Sequence, residues 1–425
     1  MSQAKSLSAR DVLRIPDFRR LFIGQTISDF GDAMTSLALL LVVYKLTDST
    51  AALALMAICL ALPQVTVGVI AGVYVDRWDR RRVMLVSDLL RAAIVLGFVF
   101  VQSTDTLWLL YVLALTQAAI GTFFTPARTA LIPSIVNSDG LLPANSLSQA
   151  GRLIAGVLGT GAAGVIVGLF AVTWPVFVVD SLTFLVSFLF VLRISATAEV
   201  ARKASAARTS VLRGVAEGMQ VVGRSRLLTG ALISAGVVML GLGAINVLFV
   251  PLLINELQVP ATWFGAIDLA QTSSMILSAI VLAGVLGRFG VTRVITWGMA
   301  GVAVIIGLLA GVTAVWQVLV LLFVIGWLVT PLQAALTTII QTEAAEQVRG
   351  RVAALVSTVT TTASVVSMAI AGIFGDLIGV RGVFLAGAAV VALAAVSAFV
   401  LFRGQHATAD QAMTAAPVAD GPVAA

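Results

Sequence analysis

The 425-residue chain is 60% hydrophobic and only 11% charged, with a mean hydropathy of +1.07, more apolar surface than a soluble globule of this size could hide. A single cysteine, Cys59, and a single histidine, His406, exclude a disulfide framework and a His/Cys metal cluster. The net charge of +6 would point to nucleic acid, but the basic residues are spread between long apolar runs in a way that excludes that partner.

Residues 1–19 are a basic cytoplasmic segment that runs into a span too long for a cleavable signal. The first span, 20–44, holds Asp29 and Asp32, which share one helical face at i and i+3. At 1.5 Å per residue they lie about 10 and 15 Å along the helix from Phe22. A charge near the bilayer centre costs at least ~2.5 kcal/mol, so the two acids need a reason to be there. One reading is a proton-coupling site that also faces a cationic substrate, with Asp32 ahead of Asp29. The other is a structural pair satisfied by Arg128, Arg152 or a neighbouring hydroxyl.

The second span, 51–75, ends in Gly72–Val83, where Asp76–Arg82 contains six charged residues. Asp88 and Arg91 share a face of the third span, 83–102, and read as a local pair. The fourth span, 107–136, carries Gln117, Phe123, Phe124 and Arg128; the fifth, 145–170, carries Arg152; the sixth, 172–193, carries Asp180. A polar loop at 194–226 separates this N-terminal half, 20–193, from a second half at 227–403. Its spans are 227–254, 261–287, 291–312, 314–341, 352–375 and 382–402, with Met239, Asn246, Phe249, Asp268, Trp327 and Gln333 among their residues. Asp180 and Asp268 stand nearer their helix ends and read as caps or packing acids. The Ala/Gly/Thr-rich tail, 404–425, is expected to be disordered.

With the N-terminus inside and the spans alternating, 21 of the 26 Lys and Arg residues fall on the inner side. Lys45 and Arg381 fall outside, and Arg91, Arg128 and Arg152 fall within spans. The positive-inside rule then predicts twelve transmembrane helices with both termini cytoplasmic. The halves also repeat: Thr125-Pro126-Ala127-Arg128-Thr129-Ala130-Leu131 in the fourth span matches Thr330-Pro331-Leu332-Gln333-Ala334-Ala335-Leu336 in the tenth. Gly287-Arg288-Phe289 occupies the place of Asp76-Arg77-Trp78 between the second and third spans of its half. An all-α integral membrane protein of two pseudo-symmetric six-helix halves follows, with a substrate site expected between them.

Gly72-x-x-x-Asp76-Arg77-x-x-Arg80-Arg81-Arg82 resembles the loop signature of the major facilitator superfamily. In that family the Asp contacts the N-terminal end of the eleventh helix and latches the halves in the outward-facing state. The resemblance therefore implies a latch of Gly72, Asp76, Arg77, Arg80 and Arg81 with Arg349 and Arg351, which open that helix here. A carboxylate beside a helix N-terminus is physically apt. Asp79 stands where the family's loop usually has Gly, and the second copy lacks the acid.

Further stretches are similar to the macrolide-efflux branch of exporters: Gly24-Gln25-x-x-Ser28, Ser87-Asp88-Leu89, Phe124–Pro133 with Ala144-Asn145-Ser146-Leu147, Arg349-Gly350-Arg351-Val352 and Asp376-x-Ile378-Gly379-Val380. The likeness spans roughly residues 15–402. Two antiporter signatures are degraded: Gln117 and Gly121 lack the usual preceding Arg, and Gly156, Gly159, Gly161, Gly164 and Gly168 lack the usual Pro.

The resemblance places a cavity among spans one, four, seven and ten. Its polar residues would be Gln117, Asn246 and Gln333, beside Phe123, Phe124, Met239, Phe249 and Trp327. So apolar a lining suits bulky amphipathic molecules and disfavours sugars. The expected function is export of drug-type or secondary-metabolite compounds by alternating access, in exchange for protons, from a monomer in the plasma membrane. An endogenous siderophore or metabolite as substrate is the runner-up, and a non-transporting sensor on the same fold a remote alternative. No cofactor is implied. The absence of GxxxxGK[ST], HExxH and GxSxG motifs argues against an enzyme or an ATP-driven pump.

Overall fold

The computed structural model describes residues 7–75, 77–195 and 211–402. Asp76, residues 196–210 of the central loop and the tail 404–425 therefore lie outside the described residues. Among the described residues every regular element is helical. Ten helical stretches, from Pro16–Thr47 to Val348–Phe399, are long and apolar enough to cross a membrane, and Thr50–Thr66 is a shorter apolar helix. The protein is an all-helical, multi-pass membrane protein.

The chain gathers into two compact units. The first comprises residues 1–208 with 247–269 and 371–376. It contains α1 (Ala9–Arg14), α2 (Pro16–Thr47), α3 (Thr50–Thr66), α4 (Gly68–Val75), α5 (Arg80–Gly97), α6 (Leu107–Ile135), α7 (Leu141–Phe170) and α8 (Trp174–Leu192). Local chemistry sets their ends. Ser8 and Asp11 form a capping box on α1, and Pro16 opens α2 at a position where its missing amide is not needed. Asp48, in the left-handed conformation, ends α2. Ser49 then accepts from the Ala52 amide to start α3. Asp79 accepts from the Arg82 amide at 3.1 Å and caps α5, so the acid that departs from the family's loop pattern has a structural use. The span expected at 51–75 is made of α3 and α4 in succession, with Pro63 removing one amide donor near the turn.

Within this unit α2 packs against α7 and α8, and α5 packs against α6 and α8. Gly31 makes the α2–α8 approach possible, because a Cβ there would run into Asp180 Oδ1 and Thr183 Oγ1. The core joins Phe18 and Leu21 of α2 to Met84 of α5, Phe124, Ala127 and Leu131 of α6, and Val191 of α8.

The second unit comprises 209–246, 270–370 and 377–425. It draws on α9 (Val211–Arg224), α10 (Arg226–Pro251), α11 (Phe264–Phe289), α12 (Val291–Leu309), α13 (Val315–Glu343) and α14 (Glu346–Phe402). The helical run of α14 breaks at Gly379, with φ 76° and ψ 163°, a conformation open to glycine without a Cβ penalty. Its core joins Val238 of α10 to Ile295 and Met299 of α12 and to Leu332, Ala335 and Ile339 of α13.

Candidate functional site

The first unit holds a cluster of charges inside its helix packing. Asp32 of α2 pairs with Arg91 of α5 at 3.1 Å, and the same guanidinium reaches Asp88 at 3.1 Å. Asp88 also accepts from Ser187 Oγ of α8 at 2.7 Å. One turn away on α2, Asp29 pairs with Arg128 of α6 at 3.4 Å. Asp180 of α8 accepts from Thr35 Oγ1 at 2.5 Å and from Thr183 Oγ1 at 3.1 Å. The i and i+3 spacing read from the sequence does bring both acids of α2 to one polar face, each against a different arginine.

Exposure grades across this cluster. The Asp32 side chain is 36% exposed, Arg91 6% and Asp88 0%. Asp32 is thus the more exposed end of the cluster, and Asp88 the sealed end. Arg91 is further held between two rings, with its guanidinium carbon 4.7 Å from the Phe124 centroid and 4.2 Å from that of Phe184. Among the described residues, Arg91 Nε, Gln117 Oε1 and Gln25 Oε1 are buried without a hydrogen-bond partner. Such an arrangement leaves the Asp32 carboxylate partly open while keeping Arg91 and Asp88 out of water.

Arg91 is the residue that spacing alone undervalued: its pairing with Asp88 is present, but it also reaches Asp32, 59 positions away in the chain. Asp180 is buried and hydrogen-bonded, in keeping with a packing acid. Asp268 finds the Thr160 hydroxyl. Arg152, offered as a possible partner of the α2 acids, donates to Gln149 at 3.0 Å.

Of the latch residues, Gly72 lies in α4 and Asp76 lies outside the described residues. Arg77 is exposed. Arg80 donates to the Ala130 carbonyl of α6 at 2.8 Å, and Arg81 donates to Val191 and Leu192 at the end of α8. Arg81 therefore staples the end of α8, at carbonyls that a helix terminus leaves free, while Arg80 ties the start of α5 to the body of α6. Arg349 donates to the Ala344 carbonyl ahead of α14 at 2.9 Å, and Arg351 lies in the first turns of α14.

The cavity residues divide. Gln117 and Phe124 lie buried on α6, with Phe124 in the charged cluster, while Phe123 stacks on Trp78 at 6.3 Å. In the second unit Met239 packs against the core, Asn246 and Gln333 are exposed, and Trp327 lines a cavity of about 380 Å³ with Phe289, Arg293 and Trp297. Phe249 meets Phe264 edge-on at 6.0 Å.

A second polar constellation was visible in the sequence only as a family likeness. Asp376 of α14 accepts from Ser49 Oγ (2.7 Å), the Thr50 amide (2.8 Å), Thr50 Oγ1 (2.7 Å) and the Ala51 amide (3.2 Å). Beside it, Asn255 donates to Tyr44 and, at 2.9 Å, to Asp48. Both groups sit in the first unit.

A helical membrane protein with charges buried among its helices narrows the class, and comparison with known proteins decides it. The family model described as transmembrane secretion effector, one of the major facilitator type, matches residues 7–424. The chain belongs to this family. Among its relatives, the multidrug efflux pump Tap of Mycobacterium tuberculosis is 27% identical over 402 residues, covering 89% of this chain and 91% of that protein. An uncharacterized MFS-type transporter, YfiS of Bacillus subtilis, is 27% identical over 377 residues, covering 86% and 88%. Macrolide efflux protein A of Streptococcus pyogenes is 22% identical over 373 residues, covering 87% and 91%. Two solved structures share the fold: a variant of the nucleoside transporter NupG (TM-score 0.78, 14% identity, covering 91% of this chain and 100% of that one), and a bacterial homologue of the iron transporter ferroportin (TM-score 0.68, 17% identity, covering 91% and 99%). This secretion effector is an MFS transporter with efflux pumps among its relatives.

Proposed function

We propose that this secretion effector exports bulky, amphipathic, cationic compounds across the plasma membrane in exchange for protons, working by alternating access as a monomer and catalysing no chemical reaction. The observation that carries the reading is Asp32: a carboxylate in an apolar helix, about a third exposed, whose counter-ion is the buried guanidinium of Arg91. A cationic substrate and a proton compete for the same oxygens, so binding one releases the other; that is the minimal requirement for exchange. Asp29, paired with Arg128, tunes its neighbour. The apolar residues around Gln117 and Phe124 give the substrate's hydrophobic part its surroundings, and the efflux relatives agree with that class. We read α3 with α4 as one crossing and α14 as two crossings joined at Gly379, which gives twelve with both termini cytoplasmic. Gly72, Asp76, Arg77, Arg80, Arg81, Arg349 and Arg351 form the latch of the outward-facing state.

The test is substrate movement in proteoliposomes under an imposed pH gradient, with compounds chosen by screening deletion and overexpressing strains against a drug panel. Asp32→Asn should fold, since Asn is nearly isosteric and cheaper to bury, but it should lose uphill export. Asp29→Asn should lose less. Accumulation by the double Asn variant against the substrate gradient would show that neither carboxylate carries the coupling proton.

A further inference from the structure

We propose that Arg91 is a tethered counter-ion for Asp32: its guanidinium occupies Asp32 when that carboxylate holds neither proton nor substrate, and withdraws wholly onto Asp88 when either arrives. The proposal rests on Asp32 being the exchange site, and adds to it the residue that resets the site.

Three features of the cluster point to this role. The first is the sharing of one guanidinium by two carboxylates in different settings. The Asp32 oxygen is 3.1 Å from Nη1 and the Asp88 oxygen 3.1 Å from Nη2. Asp32 is partly open while Asp88 is sealed and anchored by Ser187. A buried cation stripped of its only partner is strongly disfavoured. Arg91 can release Asp32 because Asp88 stays behind to neutralise it.

The second feature is the pair of rings that flank the guanidinium, those of Phe124 and Phe184. They attract a cation through their faces whichever carboxylate it touches, and so keep Arg91 in place during the exchange. The third is the unpartnered Nε of Arg91, buried in the same spot. The guanidinium thus meets its two carboxylates through Nη1 and Nη2 and not through Nε.

The other charges around Asp32 do not duplicate the role. Asp29, on its own helix, is taken by Arg128 from α6, and Arg152 from α7 bonds Gln149. Asp180 from α8 is satisfied by Thr35 and Thr183. Of the other helices packed on α2, α3 has no charged residue, and α1 carries Arg10, Asp11 and Arg14 just ahead of Pro16, at the far start of α2 from Asp32. Arg91 is the cation in direct contact with Asp32 among the described residues.

Arg91 is thus a positioning residue, and its test must read the ion pair rather than transport alone. Carbodiimides modify carboxyls in their protonated, apolar-shielded form, so labelling of Asp32 by dicyclohexylcarbodiimide, followed by peptide mass spectrometry across pH, reports how readily Asp32 takes a proton. The full-length protein in nanodiscs needs no identified substrate for this. In Asp88→Asn, Arg91 has only Asp32 left, so half-maximal labelling should move to lower pH. In the double variant Asp88→Asn, Arg91→Gln, both buried charges are removed together and the fold is spared an orphan. Asp32 then loses its cation, and half-maximal labelling should move about one pH unit or more to higher pH, the scale of an opposite charge at contact distance. A double variant that labels Asp32 at the wild-type midpoint overturns the proposal. That outcome is distinct from failure of the exchange reading, which is judged by export in Asp32→Asn. If Asp32→Asn exports normally while the labelling midpoints shift as stated, the Arg91–Asp32 ion pair stands, the exchange reading fails, and the proton site of transport lies elsewhere.

Discussion

At position 31 there is no room for a methyl group. A Cβ built on Gly31 meets the Asp180 carboxylate, which ties α8 to Thr35 of α2, and the Thr183 hydroxyl that supports it. Gly31→Ala must therefore push α8 away or strip Asp180 of a hydrogen bond. Either should cost about 1–3 kcal/mol, the usual range for overpacking, and should disturb the adjacent Asp32. Gly156 on α7 is the control, since a Cβ there meets nothing within 4 Å. Gly156→Ala should leave stability unchanged or raise it slightly by restricting the unfolded chain. Thermal melts of the two variants in nanodiscs check the pair, and equal melting temperatures would remove the argument for a tight α2–α8 contact.

Helix ends carry the next level of specificity. Thr50 and Ala51 begin α3, where amides lack intrahelical partners; Asp376 accepts from both, and its charge suits the positive end of the helix. Asp376→Ala should destabilise this end of α3 by about 1–2 kcal/mol, seen as amide exchange at residues 50–52 faster by roughly 5–30-fold. Asp376→Asn should lose less, because it keeps an acceptor. Unchanged exchange in the Ala variant would mean that the hydroxyls of Ser49 and Thr50 cap the helix alone. What the sequence disclosed at this scale follows physical lines. Apolar runs revealed the spans because bilayer solvation acts on composition. The i and i+3 acids revealed one face of α2, and Arg128 was a foreseeable partner because few cations enter the spans. Arg91 already had a satisfactory neighbour in Asp88, which concealed its reach to Asp32. Asp79 announced itself as an N-cap residue type, yet the loop likeness drew attention to it as a missing glycine. The tie between Asp376 and α3 joins residues 326 positions apart, and no local rule reports such a pairing.

For the whole molecule the decisive quantity is the number of crossings. α14 has 57 residues, about 85 Å if it were one straight helix, whereas a hydrocarbon core is about 30 Å thick. One crossing would leave most of an apolar helix in water. Two crossings joined at Gly379 place Arg381 outside and return the chain to the basic side, in line with the positive-inside distribution. Cysteine accessibility distinguishes these cases, and the sole native cysteine, Cys59, is buried, so Cys59→Ser provides a silent background. In intact cells a membrane-impermeant maleimide should label Ser103→Cys, in the turn ahead of α6. It should label Ser205→Cys in the central loop and Thr408→Cys in the tail only after permeabilisation. External labelling at Ser205→Cys would mean an odd number of crossings in the N-terminal half and would undo the paired six-helix arrangement. External labelling at Thr408→Cys alone would place the error in the second half, where α14 would then cross once despite its length. The charge of that half argues that Thr408→Cys is labelled only after permeabilisation: Arg288, Arg293, Arg349, Arg351 and Arg403 all fall on one side only when α14 turns back at Gly379.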